Sequence, residues 1–147
     1  MNFDEFKKLT DKKKSINPVW FALDADEIKD NKYIKKIECK LNAKLPLGYV
    51  EFILIYGGGY FAFSNVFSLD EKSDWYILSK NRVYKDIAQN YVLFSENGSG
   101  DFYGFEIKDG ECLSQVSFYD HECHSWNKTQ YSNIFEYLEK YALMNGE

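Results

Sequence analysis

The densest group of chemically capable side chains in this sequence is Asp120-His121-Glu122-Cys123-His124. It holds both histidines of the chain and one of its three cysteines. Together with Cys112 it would offer two thiolates and two imidazoles to a metal such as zinc. General-base chemistry near neutral pH would also have to start from these imidazoles. The spacing argues against both. Zinc ligands usually come as pairs with two to four residues between them, and here they follow one another almost without a gap. No serine or cysteine nucleophile motif accompanies the histidines. The plainer reading is a strand end running into a polar turn, and a metal- or small-ligand-binding enzyme centred on His121 and His124 is the alternative.

A second candidate is the acidic glycine turn from Glu96 to Gly104, Glu-Asn-Gly-Ser-Gly-Asp-Phe-Tyr-Gly. A calcium loop needs carboxylates at alternate positions and a closing glutamate, and only Asp101 is suitably placed. Hairpin geometry explains the glycines better, because glycine takes positive φ without a Cβ penalty. That reading leaves Glu96 and Asp101 at an exposed tip. Gly57-Gly58-Gly59 is no phosphate loop, since the nucleotide-binding pattern needs a following Lys-Ser/Thr and a helix after the glycines. The carboxylates Glu96, Asp101, Asp120 and Glu122 are therefore read as a charged contact surface; nothing in their spacing demands a nuclease-type acid cluster. Asp74, Trp75, Tyr76 and Trp126 extend that surface, because Trp and Tyr in polar surroundings are the residues that bury most area at protein interfaces. Packing at the rim of the core is the alternative for the three aromatics. No catalytic residue, metal or cofactor is expected.

Bulk properties agree with a binding module. The chain has 147 residues, a length that suits one domain spanning 1–147, and its 18% aromatic content supplies a core at that size. The net charge of −5 is unevenly spread: residues 1–44 hold 11 Lys/Arg against 8 Asp/Glu, and residues 45–147 hold 7 against 15. The larger part should repel nucleic acid and attract a basic partner. Three cysteines without repeated spacing do not make a disulfide framework, which points to a reducing, cytoplasmic setting. No apolar leader opens the sequence, and the longest apolar run, 52–56, is too short for a bilayer. No membrane association is expected, and the chain should be a monomer or weak homodimer.

The elements that must position these residues follow from periodicity. Phe3, Phe6 and Leu9 suggest a short helix over 2–12. Asp24 with Glu27 resembles a capping box, and Ile34, Ile37 and Leu41 continue at helical spacing, which predicts a helix over 25–41. Leu45-Pro46 opens another helix with Tyr49, Phe52, Ile53 and Tyr56 on one face, stopped by Gly57-Gly58-Gly59. Strands are predicted at 60–63, 65–69, 91–95, 102–107 and 113–118, with a hairpin at Asp109-Gly110. Residues 75–90 read as helical or irregular. Tyr103, Phe105 and Ile107 should face the core, with Phe102 given no role. Ser132 should cap a final helix carrying Ile134, Phe135, Leu138 and Tyr141. Helices, then a meandering sheet, then a closing helix argue an α+β fold with about five or six strands.

Three stretches in this order carry a resemblance: Leu45-Pro46 with Tyr49, Phe52 and Tyr56-Gly57-Gly58-Gly59; Phe94 to Gly104; and Val116 to Glu122 before a last helix. They resemble the SUKH superfamily over about residues 25–143, with 1–24 lying outside the clear match as an N-terminal extension or helix. The resemblance implies an α+β fold with a mixed or mainly antiparallel sheet against helices. It also implies the role of the bacterial members, largely immunity proteins of polymorphic toxin systems that bind and neutralise a cognate toxin domain, often a nuclease. Some eukaryotic members are regulators of cell-wall synthesis, so a regulatory scaffold is a further alternative. The resemblance carries over no catalytic residue.

Overall fold

The computed structural model of the chain describes residues 1–145. It is an α+β fold. Helix α1 (Phe3–Ile16) and a 3-10 turn (Pro18–Phe21) precede α2 (Asn31–Leu41) and α3 (Leu47–Tyr56). A small hairpin, β1 (Gly59–Phe61) and β2 (Ser64–Val66), leads to α4 (Ile77–Val83) and α5 (Lys85–Ala88). The main sheet follows as β3 (Tyr91–Glu96), β4 (Phe102–Lys108), β5 (Glu111–Asp120) and β6 (Ser125–Lys128), and α6 (Ile134–Tyr141) comes last. The four strands form an antiparallel meander in the order β3-β4-β5-β6, and β1 pairs with β2 in a separate two-stranded sheet, with Ala25 bridged to Gly59 of β1. The six strands are thus divided between two sheets.

The core lies between one face of the meander and helices α1, α3 and α6. Phe94 and Phe105 stack across β3 and β4 at 4.3 Å, Tyr49 of α3 meets Phe105 edge-on, and Tyr137 of α6 meets Phe94. Phe6 of α1 is fully buried against Phe52, Phe61 and Phe135. The Tyr49 hydroxyl, which sits in this core, donates to the Phe67 carbonyl at 2.6 Å, so burial leaves no unmet donor there.

The second face of the sheet is covered too. Trp126 of β6 stacks on Tyr91 with ring centroids 4.0 Å apart, and its indole N–H donates to the Ile87 carbonyl of α5 at 2.9 Å. Its ring lies directly over Gly104, where an added Cβ would come within 2.9 Å of both Trp126 Cη2 and the Val92 carbonyl oxygen. Phe102 packs against Tyr84 at 4.8 Å and is 3% exposed. The expectation that only one face of β4 is buried therefore needs correction. Tyr103 and Phe105 are in the core as predicted, Ile107 is half-buried, and Phe102 is a second-face core residue.

The outer edge of β3 is closed by two asparagine side chains and by the Phe67 N–H, which donates to the Phe94 carbonyl at 2.7 Å. The Asn81 carboxamide donates to the Leu93 carbonyl at 3.0 Å and accepts from the Leu93 N–H at 2.8 Å. Asn65 does the same at Glu96, at 2.8 and 3.0 Å. A primary amide presents the same donor–acceptor pair as a peptide unit, so each asparagine stands in for a strand residue and blocks edge-to-edge pairing.

Several element boundaries differ from those expected. Helix α2 begins at Asn31, capped by Asp30, whose side chain accepts from the Lys32 N–H; Asp24 is not its cap. Residues 25–27 cross the glycine run, with the Asp26 N–H donating to the Gly58 carbonyl at 2.9 Å. The Asp26 carboxylate accepts from Ser68 Oγ at 2.6 Å. This explains three consecutive glycines, all with positive φ: the crossing segment leaves no room for a Cβ at Gly57 or Gly59. Pro46 is the N-cap of α3 and lies just before its first turn. Asn133, whose side chain accepts from the Glu136 N–H, caps α6 in place of Ser132. Helix α1 runs on to Ile16. Strand β6 was not anticipated, because four residues broken by polar side chains give no alternating signal.

Candidate partner-binding surface

The predicted surface residues fall into two neighbouring groups. The first is a clasp between the β3–β4 loop and the β5–β6 turn. Within the loop, the Asn97 side chain accepts from the Ser99 and Asp101 N–H groups and donates to the Asp101 carboxylate. Asp101 in turn accepts from the His121 backbone N–H at 2.9 Å and lies 2.6 Å from His121 Nδ1. Burial works against the Asp101 carboxylate, but the hydrogen bonds from His121 and Asn97 outweigh it and hold its pKa below the ordinary value. The same hydrogen bond raises the His121 pKa against a desolvation cost, helped by Glu122 and Asp120. His121 Nδ1 is therefore the proton donor to Asp101. Asp120 accepts from the Glu122 N–H at 2.9 Å, and the Glu122 side chain is exposed.

Asp101, Asp120 and His121 each place a potential ligand atom within 4.8 Å of the others. Two of these groups already have other work: His121 Nδ1 faces Asp101, and Asp120 accepts from the Glu122 N–H. Cys112 sits opposite Ile107, at the far end of β5 from Asp120. Eight strand positions separate the two, about 26 Å. The four-ligand arrangement of Cys112, His121, Cys123 and His124 is therefore not assembled, and His124 instead faces the Tyr119 hydroxyl at 3.3 Å. The carboxylate of Asp120 raises the pKa of the exposed Cys123 thiol, which disfavours the thiolate a metal would need.

The second group surrounds a groove of about 250 Å³ lined by Phe63, Ser64, Asn65, Trp75, Glu96, Asn97, Gly98, Tyr103, Tyr137 and Tyr141. Beneath it runs a hydroxyl chain. Ser95 Oγ donates to the Asn65 carbonyl at 2.7 Å, which leaves the Tyr137 hydroxyl as donor to Ser95 at 2.8 Å. Burial pushes the Tyr137 hydroxyl up to about 12, so it keeps its proton near neutrality. Phe63 and Tyr141 stand exposed at the rim. Trp75 packs between Tyr60 and Phe67, with Lys80 Nζ 5.2 Å from its ring centroid. Glu96 is half-buried and paired to Lys80 at 3.3 Å, so it forms the groove wall and not an exposed tip. Asp74 is exposed beside Trp75, and Tyr76 is half-buried with its pKa raised by burial and by Glu71.

The two groups meet at the β3–β4 loop, since Asn97 lines the groove and also holds Asp101. Trp126 is not part of this surface, because both its ring faces and its N–H are used within the fold. Phe63, Tyr141, Tyr137 and Asn65 were missed in the sequence. Their separation along the chain, from 63 to 141, hid a groove that only the docking of α6 beside β2 creates. Among the described residues no helix is long and apolar enough to cross a membrane.

No curated protein and no solved structure matches the chain. A family model described as SMI1-KNR4 cell-wall, of the SUKH group, matches residues 31–138, which take in α2 through the first turns of α6. The match covers well over half of the sequence, and the chain belongs to the SUKH (SMI1-KNR4) family.

Proposed function

We propose that this chain is an immunity protein that binds a cognate bacterial toxin domain and neutralises it by protein–protein contact. The observation that carries the reading is the union of an acidic clasp with an aromatic groove through one loop, 97–101. Membership of the SUKH family is consistent with it. An acidic rim of the exposed Asp74 and Glu122 with the half-buried Asp120 would steer a basic partner into place, and Phe63, Tyr141 and Trp75 would supply the apolar contact area. The groove fits a cationic side chain best, since its lining offers three exposed or half-buried aromatic rings, Phe63, Trp75 and Tyr141, beside the Glu96 carboxylate. A toxic nuclease grips phosphates with Lys and Arg, so a surface of this chemistry would occlude its active site.

On this reading residues 1–147 act as one domain in the cytoplasm, without cofactor and without direct contact to nucleic acid. Glu96 and Asp101 act as supports that hold the groove wall and the loop, and Trp126 braces the sheet behind them. Co-expression with the toxin domain encoded beside this protein tests the proposal. The account expects a complex that co-purifies and a host that survives; a toxin that neither co-purifies nor loses its lethality would overturn it.

A further inference from the structure

A cavity of about 380 Å³ lies at the other end of β3 from the aromatic groove. Tyr91 lines the cavity and Glu96 lines the groove, and five strand positions separate them, about 17 Å. The cavity lies between the last turn of α2, helices α4 and α5, and the Tyr91 end of β3 with Ile107 of β4.

Its chemistry is the reverse of the acidic clasp. Leu41, Leu78, Ala88, Val92 and Ile107 form an apolar floor, and Lys40, Arg82 and Lys85 stand around it. All three cations are exposed, and among the described residues none of them takes part in a salt bridge. No carboxylate lines the cavity: Asp86, next to Lys85 in sequence, and Glu106, opposite Tyr91 in the sheet, both lie outside it. Lys36 lies one turn before Lys40 on the same face of α2 and extends the positive stripe, though it also approaches Glu71 at 3.9 Å. The polar groups at the base are already satisfied, since Asn81 is used on Leu93 and on the Ile77 carbonyl.

We infer that this groove is a second docking site, one that takes an acidic peptide segment with apolar side chains between its carboxylates. Charge complementarity selects the carboxylates, and the floor selects the apolar residues. A nucleic acid fits less well. Three cations are few for a polyanion, and the one aromatic ring in the lining, Tyr91, already has a face covered by Trp126. An overall charge of −5 would add repulsion along any longer strand. The site stands apart from the toxin-binding reading: it can fail without affecting toxin capture, and toxin capture can fail without affecting it.

The test is titration of the isotope-labelled full chain, followed by amide chemical shifts. The probes are an eight-residue peptide alternating Glu and Leu, its Glu-to-Gln and Leu-to-Ser versions, and a twelve-nucleotide single-stranded DNA. The account expects saturable shifts from the Glu/Leu peptide confined to Lys40, Leu41, Arg82, Lys85 and Ile107. It also expects affinity about tenfold weaker for either altered peptide and for the double variant Lys40→Glu/Arg82→Glu, with the circular dichroism of that variant unchanged. Lys72→Glu, outside the groove, should bind as the parent does. Absence of saturable shifts, equal binding of the Gln peptide, or tighter binding of the DNA at the same amides would each overturn the inference. Should the double variant misfold, the two altered peptides still decide the matter on the unmodified chain.

Discussion

His121 Nδ1 lies 2.6 Å from the Asp101 carboxylate, and this pair locks the β3–β4 loop to the β5–β6 turn. Asp101 also takes the His121 backbone N–H, so the two loops are joined at both side chain and main chain. The clasp places Asp120 and Glu122 beside a loop that lines the aromatic groove. It thereby couples the charged rim to the apolar contact area.

The pair makes the clasp depend on pH in two directions. Asp101 is held below its ordinary 3.8, so its contribution is present above that value and is lost as pH falls through the lowered pKa. His121 is raised above 6.5, so its contribution is full below pH 6.5 and is lost as pH rises through the raised pKa. The clasp should therefore be tightest between about pH 3.8 and 6.5. An NMR titration of the His121 ring should give a pKa above 6.5 that falls in Asp101→Asn. An unshifted midpoint in the parent protein would show that the pair does not form.

Asn81 is the stiffest test of the edge closure. In Asn81→Ala the Leu93 N–H and carbonyl lose their partner in a buried setting, and each unmet group costs about 1–3 kcal/mol. Chemical denaturation should show a loss of about 2–4 kcal/mol. A loss below about 1 kcal/mol would mean that water reaches the β3 edge.

Gly57 should tolerate no side chain. It has φ of +80°, and an added Cβ would collide with the Asp26 carbonyl oxygen and press on the Ile28 side chain. Gly57→Ala should destabilise the fold by at least about 2 kcal/mol, and Gly98→Ala, with φ of +78° but open space around it, by less. Equal effects would show that strain in φ dominates and that the crossing segment at Asp26 is free to move.

Gly104 probes the second face of the sheet. Gly104→Ala must displace Trp126 or the β3 backbone, with an overpacking cost of about 1–3 kcal/mol. The intrinsic fluorescence should change at the same time, because the stacked indole of Trp126 leaves Tyr91. A variant with parent stability and an unchanged spectrum would contradict the packing described here.

Much of the fold was legible in the sequence because the pattern and its physical cause coincide. Leu45-Pro46, the Tyr49/Phe52/Ile53 face and the Gly57 stop mark α3 by one periodicity and two end signals. Tyr103 and Phe105 alternate as a strand with a buried face must. The misreadings share a cause: a distant part of the chain supplies what the local sequence seemed to supply. Asp24 and Glu27 looked like a capping box, yet residues 25–27 run across the glycines and the helix starts at Asn31, capped by Asp30. Phe102 looked idle because Tyr84, at the junction of α4 and α5, packs on it, and no pattern in β4 announces that contact. Among the candidate residues, Asp101, Asp120 and Glu122 converge as two adjacent turns. Trp126 carried no local sign that its ring would be stacked and its N–H bonded to α5. The Asn65 and Asn81 caps were invisible, since an asparagine in a short strand or a helix says nothing about which strand edge it will face.

On the proposed function the acidic rim beside the aromatic groove binds a toxin, and calorimetric titration with the toxin domain encoded beside this chain is its sharpest test. The parent chain should bind stoichiometrically. A variant carrying Asp74→Lys, Glu122→Lys and Phe63→Ala, all at exposed positions, should keep its thermal transition and lose at least about a hundredfold in affinity, with the remaining binding less sensitive to salt. A parent chain that binds no toxin, or a triple variant that binds as the parent does, would contradict the account.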